Sequence, residues 1–340
     1  MIQLELITME KKIETQRDWK GIAIQASVLL ALVLLPLVLE NRFYLRLVTE
    51  ITIYGLLAMS LDVLLGFTGL LSFMHAAYMG IAAYSVALFL TYVDPTASIW
   101  LTFPLALAVT VAVAFAAGWL QVRTGGFAFA LLTVAFGMLY YTVVWKARSL
   151  TCGDDGLCGL PKPDIAVGSL VLGNMNDSQT AYYFTLAVVA ACFFLTRRII
   201  RSPFGAVLES IRENPERASF IGINVRFYKL MGWVLACALA GISGILFTYL
   251  KGSVSPTLMD ARAGGIVLMM TLLGGMGTLW GSFIGAAAYI FLQDFISGMT
   301  EDWMVFLGLA VILLTLFMPK GLADLPIRLG RRMIRQRPTI

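Results

Sequence analysis

Charge is scarce in this chain. Asp, Glu, Lys and Arg make up 13% of its 340 residues, against about 25% in an ordinary soluble domain. With 59% of residues hydrophobic, water is excluded as the main solvent. Histidine occurs once, as His75, so no metal site is expected, since a lone imidazole has no partner ligand at metal-site spacing. No Gly-x-x-x-x-Gly-Lys-Ser/Thr phosphate loop is present, and no cofactor is expected in the chain itself. A catalytic cluster of His, Cys or carboxylates is also missing, which argues against an enzyme.

What is abundant is long apolar runs. Gly21–Leu39, Ile99–Leu120 and Leu230–Leu250 each exceed the roughly 18 uncharged residues that cross a hydrocarbon core about 30 Å thick. Only helices and closed barrels satisfy every backbone polar group in lipid, and these runs lack the alternation a barrel needs. The expected fold is an all-α integral membrane protein. Spans are expected at 21–39, 45–65, 75–93, 99–120, 126–145, 181–196, 230–250, 260–273, 279–297 and 303–318, about ten transmembrane helices. Lys11, Lys12, Arg17 and Lys20 precede the first run in the manner of a signal peptide. The run is too long for one and ends without a small-residue cleavage site, so it reads as a retained anchor.

The net charge of +5 comes from basic residues gathered in short loops and tails. Seven Lys or Arg lie in 197–229 and six in 320–337. The positive-inside rule puts both segments in the cytoplasm and makes nucleic acid an unneeded partner. The loop 146–180, with four Asp against three basic residues, and the acidic Glu301-Asp302 belong outside. The chain thus divides into a cytoplasmic N-terminal segment 1–20, a permeation domain 21–318 and a basic cytoplasmic tail 319–340, with both termini inside. Cys192 and Cys237 fall in apolar runs, whereas Cys152 and Cys158 share the external loop, where a local disulfide is possible.

Two stretches are too rich in glycine to be comfortable spans: Gly66–Met74 and the run ending at Gly274. Each is either a full span or a re-entrant or broken helix, which is tolerated only inside protein or beside a cavity. They also resemble each other. Leu64-Leu-Gly-Phe-Thr-Gly69 parallels Leu272-Leu-Gly-Gly-Met-Gly277, and Gly80-Ile-Ala-Ala-Tyr84 parallels Gly285-Ala-Ala-Ala-Tyr289. An internal repeat is one reading; the other is the ordinary recurrence of small residues in membrane helices. Broken helices at matching positions of two halves point to a solute path, here Gly66, Gly69, Gly274, Gly275 and Gly277, with Asp62 and His75 beside the first break. For His75, an ionisable residue at membrane depth, two readings stand: contact with solute, or a neutral imidazole satisfying a backbone group freed by the break. Asp62 either joins a polar network or reaches water near the end of its span, and Glu50 and Asp294 invite the same caution.

In the basic loop, Ser202 stands at an N-cap position and Pro203 at the first helical position. Phe204, Val207, Leu208 and Ile211 then share an apolar face, with Glu209, Arg212 and Glu213 elsewhere. Asn214-Pro215 interrupts this helix, and a second turn ends at Gly222. Such a helix either lies on the membrane surface or docks on a soluble partner. Thr151–Gly156, with two Asp between glycines, reads as a turn rather than a calcium loop, whose full spacing is lacking.

The blocks Arg201-Ser-Pro-Phe-Gly205, Ile211-Arg-Glu-Asn214 and Ala218–Asn224 resemble the cytoplasmic loop of branched-chain amino-acid ABC transporter permeases. So do Leu65–Ala77 with Gly80, Leu150–Gly156, Leu273–Gly281 and Met318–Leu322, together covering roughly residues 50–325, and the pattern looks like the M-type of two paired permease subunits. The resemblance implies a permease of an importer in the bacterial inner membrane, carrying branched-chain amino acids or a related small polar solute. Urea, amides and aromatic carboxylates are cargo of relatives. It also implies a second homologous permease, two ATP-binding-cassette subunits that hold ATP and Mg, an external solute-binding protein that faces the loop 146–180, and surrounding membrane lipid. By the same resemblance Arg201, Ser202, Pro203, Phe204, Gly205, Glu209, Ile211, Arg212, Glu213, Asn214 and Gly222 form the ATPase-coupling loop. Asp62 departs from the family pattern, which favours Asn there. The competing class is an ion-coupled secondary transporter, which would need a relay of intramembrane titratable groups.

Overall fold

The structure, a computed structural model, describes residues 27, 30–36, 41–163, 165–167, 170–300, 302–317 and 321–324. The expected N-terminal segment, most of the first expected span, Glu301, Lys320 and all but 321–324 of the basic tail lie outside the described residues. Helical backbone is present at 30–36, and the main compact body begins at Val48.

Twelve α-helices follow among the described residues. α1 (Arg42–Asp62) runs into a π-helical turn, Val63–Thr68. After a break come α2 (Ala76–Tyr92), α3 (Ile99–Gln121), α4 (Gly126–Lys146) and the short α5 (Arg148–Thr151). The next group is α6 (Ser178–Ile200), α7 (Pro203–Glu213), α8 (Pro215–Phe220) and α9 (Val225–Lys251). A hairpin of α10 (Ala261–Gly274) and α11 (Gly281–Ser297), then α12 (Trp303–Phe317), complete the set. The protein is an all-α membrane protein. Five helices among the described residues are long and apolar enough to cross a bilayer: 42–68, 99–121, 126–146, 178–200 and 225–251. Four more are apolar but shorter, at 76–92, 261–274, 281–297 and 304–313.

α1 and α9 occupy the interior. From Ile51 to Leu64 every side chain of α1 except Tyr54 is buried. α9 packs along α2 and α3, its Trp233 Nε1–H donating to the Ala114 carbonyl at 3.0 Å. The outer helices invert the soluble pattern. α3 buries Thr102, Ala106, Thr110, Ala114, Gly118 and Gln121 in one stripe and exposes Trp100, Leu105, Phe115 and Trp119. Small residues let backbones approach where lipid already solvates the large apolar ones. At one close crossing, a Cβ on Gly244 of α9 would collide with the Met79 carbonyl of α2.

Four short strands were not foreseen. β1 (Leu157–Cys158) pairs with β4 (Ser253–Val254), and Leu160 N–H donates to the Gly252 carbonyl at 3.0 Å. The loop 146–180 is thereby zipped to the connection after α9. β2 (Ile165–Val167) and β3 (Leu170–Gly173) form a separate hairpin. The possible Cys152–Cys158 disulfide is corrected: both thiols are free and exposed. β-pairing turns Leu157 inward and Cys158 outward, and Cys152 caps α5 in the left-handed region at φ 57.

Gly244→Ala is expected to lower the thermal midpoint in detergent, an overpacking cost of about 1 to 3 kcal/mol. Gly265→Ala, where nothing lies within 4 Å of the added carbon, is expected to be neutral or slightly stabilising. Parallel thermal unfolding of the two variants checks both.

Candidate functional site

The first glycine-rich break starts where α1 changes pitch. In the π-turn Thr68 Oγ1 donates to the Val63 carbonyl five residues back, at 3.0 Å. Gly69, at φ 72, ends it with its N–H on the Leu64 carbonyl. The chain then runs irregularly to α2, and the Phe73 N–H freed by the break is taken by Thr133 Oγ1 of α4 at 3.2 Å. The second break, Gly275–Trp280, separates α10 from α11. Its backbone is unusual: Gly275 and Gly277 stand at φ 106 and 75, and Leu279, with a full side chain, at φ 37.

Asp62 joins the two breaks. Its side chain is fully buried, and its carboxylate accepts the Gly277 N–H at 2.6 Å through Oδ1 and the Leu279 N–H at 3.0 Å through Oδ2. Of the two readings of Asp62, these bonds fit the polar network rather than contact with water. Both oxygens are spent on amides that two helix ends leave without partners, in a medium where an orphan donor is expensive. Gly66, one turn on, has no room for a side chain: a Cβ would sit 2.5 Å from both Asp62 Oδ1 and the Gly277 nitrogen. Asp62 also holds Leu279 in a backbone region that L residues rarely occupy, a strain of about 1 to 3 kcal/mol.

The basic loop arrives at the same place. Ser202 Oγ accepts the Phe204 N–H at 3.3 Å at the start of α7, and Asn214 Oδ1 accepts the Arg217 N–H at 3.0 Å at the start of α8. Leu208 and Ile211 are buried, α7 lies against the π-turn, α6 and α9, and Phe204 stacks on Tyr228 at 5.7 Å between centroids. The Leu208 and Ile211 side of the apolar face is thus covered by the protein's own bundle. From its other side Arg212 reaches in, and its Nη1 donates to the Gly66 carbonyl while its charge acts on Asp62. Gly321, from the expected tail, closes the far side, packed so tightly on Gly274 and Gly275 that no side chain would fit. Blocks scattered over 250 residues of sequence thus share one junction of an acid, a base and two helix breaks.

The remaining residues singled out in the sequence fall in three places. Pro203, Glu209, Glu213, Arg201 and Gly222 are exposed around α7 and α8, and Gly205 is buried in the turn that starts α7. Phe220 and Ile221 form an apolar tip beside them, 87% and 76% exposed. His75 is buried within the bundle, its Nε2 2.9 Å from Ser60 Oγ, its ring against Tyr78 and Trp233 and its Nδ1 buried without a hydrogen-bond partner. It bonds a hydroxyl rather than a backbone group freed by the break. Among the described residues no group of three His, Cys, Asp or Glu is placed to hold a metal. Ser60 went unnoticed in the sequence, and Leu279 and Gly321 entered only inside the blocks Leu273–Gly281 and Met318–Leu322; the one available signal was that a buried Asp62 needs donors, and a Gly-x-Gly offers free amides.

Asp62→Ala is expected to destabilise the protein by roughly 2 to 5 kcal/mol, because two buried amides lose their acceptor. Asp62→Asn, which keeps one acceptor oxygen, is expected to lose about half as much. Thermal unfolding in detergent ranks them, and equal midpoints for wild type and Asp62→Ala would remove the carboxylate from this role.

The chain was compared with known proteins once this geometry was established. Residues 43–316 match the family described as the branched-chain amino acid transport system permease component. The high-affinity branched-chain amino acid transport system permease protein LivM of Salmonella typhimurium is 27% identical over 292 residues, covering 81% of this chain and 68% of that protein. LivM of Escherichia coli is 26% identical over 295 residues, 79% of this chain and 67% of that one. LivH of Salmonella typhimurium is 26% identical over 294 residues, 80% and 92% respectively. No solved structure matches. With the match running through both helix breaks and the loop that bridges them, the chain belongs to the permease-component family of branched-chain amino acid transport systems.

Proposed function

We propose that this chain is one of two paired permease subunits of an ATP-driven importer in a bacterial inner membrane, translocating branched-chain amino acids or a related small polar solute. In this reading both termini are cytoplasmic and ten crossings are made, the shorter helices α2, α10, α11 and α12 and the first apolar run completing the five long ones. A second homologous permease lies beside it, two ATPase subunits with ATP and Mg lie below the loop 197–229, and a solute-binding protein docks outside near the loop 146–180. Family membership and the printed names of LivM and LivH support the cargo and the pairing.

The observation that carries the mechanism is the Arg212–Gly66 bond beside the Asp62–Gly277 bond. An ATPase that grips the exposed face of α7, with Glu209, Glu213 and the Phe220-Ile221 tip, moves α7 as a rigid capped piece. Because the apolar face of α7 is packed on the bundle, that motion is delivered inward. Arg212 passes it to the Gly66 carbonyl, and Asp62 passes it across to Gly277, so the two broken helices move together. Charge-assisted bonds of about 1.5 to 3 kcal/mol each are strong enough to transmit and weak enough to be remade in every cycle. An internal duplication fits this pairing of breaks. Gly80 and Tyr84 are the fifth and ninth residues of α2, and Gly285 and Tyr289 the fifth and ninth of α11, in helices of 17 residues each.

The reading is tested by purifying the complex with its native partners, since absence of any co-purifying ATPase would overturn it. In proteoliposomes, Arg212→Gln is expected to lower solute transported per ATP hydrolysed about tenfold, the equivalent of one lost charge-assisted bond. Arg212→Lys, which keeps the charge but loses the planar fork, is expected to fall between. An unchanged ratio in Arg212→Gln would take the junction out of coupling.

A further inference from the structure

Asp62 and His75, the titratable residues the sequence offered for a solute path, are fully buried, Asp62 bonded to Gly277 and Leu279 and His75 to Ser60. A different pair of charges is open. Glu50, the ninth residue of α1, and Lys251, the last of α9, meet with Lys251 Nζ 2.7 Å from Glu50 Oε2, their side chains 25% and 41% exposed. Both helices are long and apolar enough to cross a bilayer and are otherwise largely enclosed. Formal charges in such a setting face a water-filled cavity or another polar surface in preference to hydrocarbon.

The surroundings of the pair are aromatic. The Phe247 ring, one turn before Lys251, has its centroid 5.9 Å from Lys251 Nζ. Tyr54, one turn after Glu50, meets Phe247 edge-on at 6.1 Å and is the one residue of its stretch of α1 that is not buried. The Tyr54 hydroxyl lies within electrostatic reach of Glu50 and of Tyr289 on α11. Lys162 adds a second ammonium nearby, its Nζ donating to the Leu250 carbonyl at 2.8 Å.

We propose that Glu50 and Lys251, with Tyr54 and Phe247, form a transit site for zwitterionic α-amino acids that carry an apolar side chain. This deepens the importer reading and rests on it. The ligand's carboxylate goes to Lys251 and its ammonium to Glu50, so one internal ion pair is exchanged for two and no charge is left bare. The hydrocarbon side chain lies on Phe247 and Tyr54. A solute with a single charge opens the same pair but strands one partner, which disfavours it. Since the empty site pairs its own charges, binding is weak and reversible, as passage requires.

The test uses the permease–ATPase complex purified without its binding protein. It is titrated by thermal shift with leucine and with isocaproate and isoamylamine, which keep the hydrocarbon and one charge each. Leucine is expected to raise the midpoint and the two analogues to have little effect. Glu50→Gln and Lys251→Met are each expected to raise the half-saturating leucine concentration about tenfold, whereas Lys251→Arg preserves it. Equal responses to the analogues, an unaltered leucine response in both neutral variants, or no response in a wild type that takes up solute would each overturn the site and leave a surface ion pair. Failure of the importer reading is separate: the complete wild-type system, with ATP and binding protein, would transport no solute at all.

Discussion

A carboxylate without water is held in place by whatever donates to it, and at Asp62 the donors are the amides of Gly277 and Leu279. Those amides are free because a helix ends at Gly274 and the next begins at Gly281, and in a low-dielectric interior neither the charge nor the amides tolerate being alone. Each side of the contact therefore requires the other. Gly66 allows the approach by lacking a side chain, and the Arg212 guanidinium brings compensating positive charge while binding the Gly66 carbonyl. The π-turn, the second break and the position of α7 all follow from this one arrangement.

The rest of the body is built so that Asp62 stays enclosed. Small residues and threonines line the contacts between helices, and large apolar side chains point outward to lipid. Threonines return their hydroxyls to their own helices, as Thr110 does to Ala106 at 2.8 Å, and Thr271 and Thr102 also bond across helices, to the Ala58 carbonyl and the Tyr249 hydroxyl. His75 is part of this packing through Ser60 and Trp233.

α1 connects the two ends of the proposed cycle. Glu50 and Asp62 are twelve residues apart on it, about 18 Å at helical rise, and nearly every side chain between them is buried. In the proposed cycle this largely buried helix shifts as a rod, so that a displacement applied by Arg212 at Gly66 is carried toward the Glu50–Lys251 corner. α9 adds a second rod, from the Trp233 contact with α3 to Lys251.

Much of this was legible before any fold was known, for a local reason. In lipid the backbone must satisfy itself within the segment, so apolar length predicts helices, glycines predict where they break, and Ser202-Pro203 and Asn214-Pro215 predict where short helices start. Each depends on neighbours within a few residues. Tertiary structure alone decided which way α7 turns its apolar face, that Cys152 and Cys158 are free thiols, that Asp62 finds the amides after Gly274, and that Glu50 finds Lys251. Those partners lie up to about two hundred residues away, and a single chain read in order holds no record of them; burial and charge pairing select them only once the helices have packed.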